Sequence, residues 1–135
     1  MCGIVGYVGK SDRTVHVLLR GLERLEYRGY DSAGIAVLKD HHVDVVKKSG
    51  KLDCLKACVD PEWKTEIGIG HTRWATHGSA NQENAHPHQV GKVTAVHNGI
   101  IENMDEIKKE LSQANVVFRS DTDSEVLVAL LNQIY

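Results

Sequence analysis

The sequence predicts an α+β fold with a largely antiparallel sheet. Strand-like and helical patterns are mixed along the chain instead of strictly alternating, two strand-like segments are joined by a short polar turn, and one strand begins almost at the N-terminus. Residues 3–9, GIVGYVG, alternate small and β-branched or aromatic side chains with the period of a strand, which anchors position 2. From Asp12 to Glu26, Val15, Leu18, Leu19, Leu22 and Leu25 recur at three- and four-residue spacing, one apolar face of a helix that Gly29 stops. Segments 33–39 and 43–48, with Asp40 and His41 between them, predict a hairpin, and residues 51–59 a short helix.

Further strands are expected at 65–71 and 92–97. Between them residues 72–90 are polar and carry neither period, and a loop of that length is usually functional. Asn103 with Glu106, and Thr122 with Glu125, place a cap residue three positions before a glutamate, the pattern that opens a helix. Helices over 103–112 and 122–135 follow, with VVF at 116–118 read as a strand between them. Val126, Leu127, Leu130, Leu131 and Ile134 form an apolar pattern that reaches Tyr135 without a stop signal, so residues 1–135 are expected to be a truncated part of one domain.

The composition bounds the function. The chain has 135 residues, 41% hydrophobic and 25% charged, as an ordinary globular domain does. Its net charge of −2 is spread along the chain, giving no basic stripe for nucleic acid and no polybasic patch for a membrane. No leader pattern opens the sequence and no apolar run approaches the roughly 20 residues that cross a bilayer. Three cysteines are too few for a disulfide framework and fit reduced thiols, so a cytoplasmic location is expected.

Chemistry concentrates at the N-terminus. Removal of Met1, favoured before a small residue, would leave Cys2 with a free α-amino group, placing nucleophile and base on one residue. Reference pKa values of about 7.7–8.0 for an α-amine and about 8.5 for a thiol let the amine take the thiol proton near neutral pH. From position alone, Cys2 reads more readily as a small packing residue behind a start codon than as a nucleophile.

Six blocks change that reading: MCGIVGY at the start, YRGYDSAG at 27–34, HTRWATHG at 71–78, NAHPH at 84–88, HNGIIEN at 97–103 and SDTDSE at 120–125. Together, and in this order, they resemble the class II glutamine amidotransferases over nearly the whole chain. Tyr30, Trp74 and His77 resemble the sugar-phosphate branch of that family more than its phosphoribosyl, asparagine or glutamate branches. The resemblance implies the N-terminal-nucleophile (Ntn) hydrolase fold, a four-layer αββα sandwich of which this chain would supply about the first half. It also implies that L-glutamine is the substrate and that no cofactor is needed. A downstream sugar isomerase region, absent here, would pass ammonia to fructose 6-phosphate in a protein that acts as a homodimer.

Hydrolysis of an amide through a thioester needs a nucleophile, donors for the developing oxyanion, and groups that fix the charges of the amino acid. By resemblance these are Cys2; the Asn98 side chain with the Gly99 backbone N–H; and Arg73 for the α-carboxylate with Asp123 for the α-ammonium. A planar guanidinium suits a carboxylate because it grips both oxygens. Asn98-Gly99 also reads as a tight turn, and Asp123 as a plain carboxylate at a helix N-terminus. Thr76 and His77 resemble residues that touch glutamine, Trp74 a gate over the site, and Arg28 and His86 supporting residues.

The rival constellations are weaker. His71, His77, His86 and His88, with Cys54 and Cys58, have spacings that fit no common zinc pattern, so no metal is expected. Cys54 and Cys58 read as packing residues of a short helix, and His41 and His42 as solvated. Two other functions stay open on the sequence: the same glutaminase reaction feeding another acceptor, such as phosphoribosyl pyrophosphate, and a catalytically inert fragment.

Overall fold

The computed structural model describes residues 1–75 and 78–135. Among these residues six strands and four α-helices follow in the order β1 (Gly3–Val8), α1 (Thr14–Leu25), β2 (Ser32–Lys39), β3 (His42–Ser49), α2 (Leu52–Lys56), β4 (Ile67–Arg73), β5 (His88–Val90), β6 (Val93–Ala95), α3 (Met104–Gln113) and α4 (Asp123–Ile134), with one 3-10 turn at Glu26–Arg28. Four strands form one antiparallel sheet in the order β1-β4-β2-β3, and β5 pairs with β6 in a second. No helix among the described residues is long and apolar enough to cross a membrane.

Local sequence explains most of these elements. In the hairpin β2–β3, Lys39 pairs with His42, and Asp40 and His41 both take positive φ, the geometry of a two-residue turn whose twist matches the strands. Val15, Leu18 and Leu22 of α1 are fully buried against Ile35 and Val37 of β2 and Leu52 and Leu55 of α2, which fixes α1 on one face of the sheet. Glycines at 68 and 70 of β4 let Leu18 and Leu22 come close to the sheet, where an added Cβ would meet their methyl groups. A second cluster joins Leu111 of α3 to Val126 and Ala129 of α4.

The structure corrects several expectations. Residues 116–118 are not a strand: Val116 and Phe118 turn onto the α3–α4 cluster while Val117 is exposed, so the alternation is real but meets no partner strand among the described residues. Residues 88–90, expected within the polar 72–90 loop, form β5 because β6 satisfies their backbone. Asn103 makes no side-chain cap, since its backbone is not extended. Thr122 caps α4 by accepting from the Glu125 N–H at 3.3 Å, but the Glu125 carboxylate turns away to Ser120 N and Arg119 N instead of completing the box. Cys54 and Cys58 are exposed, not packed.

Candidate active site

The sheet register creates the site. Gly3 pairs with Thr72, so the residue before β1 lies beside the end of β4. There the Cys2 Sγ accepts from the Trp74 N–H at 3.2 Å and donates to the Trp74 carbonyl at 3.5 Å. A strand that starts at the third residue thus holds the sulfur rigidly at the edge of a cavity of about 510 Å³. Met1, Cys2, Arg28, Arg73, Trp74 and His86 line one part of that cavity. The segments 97–100 and 122–124 complete it.

Asn98 sits beside the nucleophile. Its Nδ2 donates to the Cys2 carbonyl at 3.2 Å, and its Oδ1 lies 2.7 Å from His71 Nε2. Gly99 follows with φ of 146°, a conformation that favours glycine and that opens the backbone to the cavity. Asp123, the first residue of α4, is buried and accepts from the Ile101 N–H at 2.9 Å, so it also pins the loop that carries Asn98 and Gly99.

Arg73 ends β4, is buried, and donates through Nη1 to the Ser79 carbonyl at 3.0 Å. Asn84 donates to the same carbonyl at 2.9 Å and accepts from the Asp121 N–H at 2.8 Å, tying the 78–84 loop to the start of α4. Trp74 is 52% exposed, with its ring over Gly29, where an added Cβ would come within 3.0 Å of the indole. Asp31 holds the next residue by accepting the Ala75 N–H at 2.5 Å, while its own N–H donates to the Arg73 carbonyl at 2.8 Å. Arg28 lies at the rim, donating to Tyr27 Oη at 3.1 Å and reaching Met1 Sδ at 3.6 Å. Thr76 and His77 lie outside the described residues.

Behind these groups is a stack of histidines. His86 lies parallel to His71 at 4.1 Å between ring centres, and His88 meets the edge of His86 at 4.6 Å. His88 Nε2 is 2.9 Å from Thr122 Oγ1. Burial pushes His71 down to about 4 and His88 to about 3, and lowers His86 further, with the neighbouring rings and Arg73 adding to the effect. Neutral imidazoles packed ring on ring need no counter-charge. Among the described residues no group of three or more His, Cys, Asp or Glu is placed to hold a metal ion.

The structure therefore brings Cys2, Asn98, Gly99, Arg73, Trp74, Asp123, Arg28 and His86 to one cavity. Sequence reasoning missed Asp31, Asn84 and the contact of His71 with Asn98. Each lies inside a block already noted, but nothing in the spacing marks a side chain that binds a backbone 37 or 44 residues away.

Residues 60–134 match the family model described as the glutamine amidotransferase domain. The chain belongs to the glutamine amidotransferase family. It is 56% identical over 98% of its length to the glutamine–fructose-6-phosphate aminotransferase (isomerizing) of Geobacillus kaustophilus, and 54% identical over 100% to that of Aquifex aeolicus. It spans only 22% and 23% of the lengths of these relatives. Among solved structures it superposes on the glutamine phosphoribosylpyrophosphate amidotransferase of B. subtilis with a TM-score of 0.80, at 24% identity, over 98% of this chain and 29% of that one. A second structure, described as the allosteric regulatory enzyme of purine biosynthesis, gives 0.82 at 25% identity, over 98% of this chain and 30% of that one. The α+β Ntn-hydrolase fold implied by the six blocks is the fold of the chain, which is homologous to the glutaminase part of the fructose-6-phosphate enzymes.

Proposed function

We propose that this chain performs the glutaminase half-reaction with Cys2 as nucleophile, and that in the complete protein the ammonia converts fructose 6-phosphate to glucosamine 6-phosphate. The observation that carries the reading is the hydrogen bond from the Asn98 carboxamide to the Cys2 carbonyl at a cavity that Cys2, Asn98, Arg73 and Asp123 all line. Arg73 would take the α-carboxylate of glutamine and Asp123 its α-ammonium, leaving the side-chain amide directed to Cys2. Trp74 would close over the bound amino acid, Thr76 and His77 would touch it, and Arg28 and His86 would support the cavity.

With Met1 removed, the α-amine of Cys2 accepts the thiol proton and the thiolate attacks the amide carbon. Charge moves to the amide oxygen, which Asn98 Nδ2 and the Gly99 N–H receive. Collapse returns the proton to the leaving nitrogen, releases ammonia and leaves a thioester, which water hydrolyses to glutamate. While Met1 is attached, the nitrogen of Cys2 is an amide and cannot act as this base, and Met1 itself lines the cavity. The fructose 6-phosphate branch is supported by identities of 53–56% to enzymes of that name, against 24–25% to the solved phosphoribosyl and purine enzymes, which speak for the fold. A homodimer and a cytoplasmic location complete the proposal, the latter fitting three unpaired thiols.

Reaction with a glutamine-mimicking electrophile, followed by peptide mapping, is the experiment. Modification confined to Cys2 is expected, although Cys54 and Cys58 are the more exposed thiols; modification of those two with Cys2 untouched would refute the reading.

A further inference from the structure

His71 has no part in the reaction as written, yet the fold places it directly behind Asn98. It lies on β4 on the face away from α1, since the neighbouring Gly70 faces Leu22. The side chain is buried, stacked on His86, with Nε2 2.7 Å from Asn98 Oδ1. A carboxamide oxygen only accepts, so the proton of this neutral ring stands on Nε2. Its Nδ1 is buried and has no partner among the described residues, as suits the nitrogen without a proton.

That hydrogen bond decides which end of Asn98 faces the nucleophile. With Oδ1 held by His71, Nδ2 points to Cys2, whose carbonyl it meets at 3.2 Å. A half-turn of the carboxamide would set Nδ2 against the Nε2–H, donor against donor. It would also aim the Oδ1 lone pairs at the oxygen on which negative charge develops. We infer that His71 is a positioning residue, whose Nε2–H holds the Asn98 carboxamide with its N–H end toward the acyl group on Cys2. The parallel contact with His86, itself braced by His88 against Thr122, keeps the imidazole plane in register for that bond.

The inference rests on the glutaminase reading, and the test separates the two. In the complete natural protein, H71F keeps the stacked ring but removes the donor, and H71N is too short to reach Asn98. For both, kcat for glutamine hydrolysis is expected to fall by about 10²-fold, with KM changed by no more than about threefold because Arg73 and Asp123 are untouched. H71Q, which carries an N–H at nearly the reach of Nε2, is expected to restore most of kcat. In an N98A background the substitutions at 71 should cost nothing further. Should H71F not fold, H71N carries the same comparison. Wild-type kcat in the donor-less variants, no rescue by H71Q, or losses that multiply with that of N98A would overturn the role of His71. Labelling of Cys2 on the same samples reads the other failure, since an unlabelled wild-type Cys2 sinks the glutaminase proposal itself.

Discussion

Gly34 on β2 offers a sharp test of how the sheet supports the site. A Cβ built there falls 2.0 Å from the carbonyl oxygen of His86 and 3.0 Å from its carbonyl carbon, with Lys47 Cβ at 2.9 Å on the neighbouring strand. Real Cβ atoms essentially never approach closer than 3.0 Å, so in Gly34→Ala the His86 main chain must withdraw by about 1 Å. Backbone yields less readily than a side-chain tip, and overpacking of this kind costs about 1–3 kcal/mol, which lowers Tm by on the order of 10 °C at most. Because the His86 ring stacks on His71, and His71 holds Asn98, the shift reaches the reacting centre, where an error of about 1 Å can cost 10²-fold. Thermal unfolding and glutamate release should both fall, kcat by at least about tenfold. Gly6→Ala on β1 is the control: apart from its own chain neighbours, no atom of the described residues lies within 4 Å of its Cβ, so stability should hold or rise by about 0.5–1 kcal/mol. A Gly34→Ala protein with wild-type Tm and kcat would mean that the His86 main chain bears on neither stability nor the site.

Two further outcomes follow from the same geometry. His71, His86 and His88 have folded-state pKa values below the ordinary 6.5, so the unfolded chain binds more protons and stability rises with pH. That stability is present above about pH 6.5 and drains away as pH falls toward the folded values, at up to about 1.4 kcal/mol per pH unit for each ring; urea midpoints that stay flat between pH 7 and 5 would contradict it. Asp31→Ala removes the acceptor of the Ala75 N–H and should raise KM for glutamine about tenfold by loosening Trp74, while Asp31→Asn, which keeps one oxygen, should do less; equal KM in all three proteins would count against the anchor.

Much of the fold was legible because its signals are local. The 3.6-residue period of α1, the polar pair at the β2–β3 turn and the Thr122 cap each act within a few residues. The three-residue β5 was not, since a segment as polar as His88–Val90 becomes a strand only when β6 arrives to pair with it. VVF at 116–118 failed in the opposite sense, having the strand composition and alternation but no neighbouring strand. The candidate site was legible through motifs resembling a family, which brought its chief side chains to one cavity. What stayed hidden were the groups that orient others: Asp31 on Ala75, Asn84 on Asp121 and His71 on Asn98. Such contacts depend on register between distant strands and loops, and register is written in no single segment.

Whether the N-terminal thiol carries the acyl group is read from the intact mass of the electrophile adduct. With that thiol as nucleophile, every labelled molecule has lost Met1 and carries one adduct, on Cys2, while any chain that retains Met1 stays unlabelled and inactive. Labelled, glutamine-hydrolysing protein that still bears Met1 would contradict it.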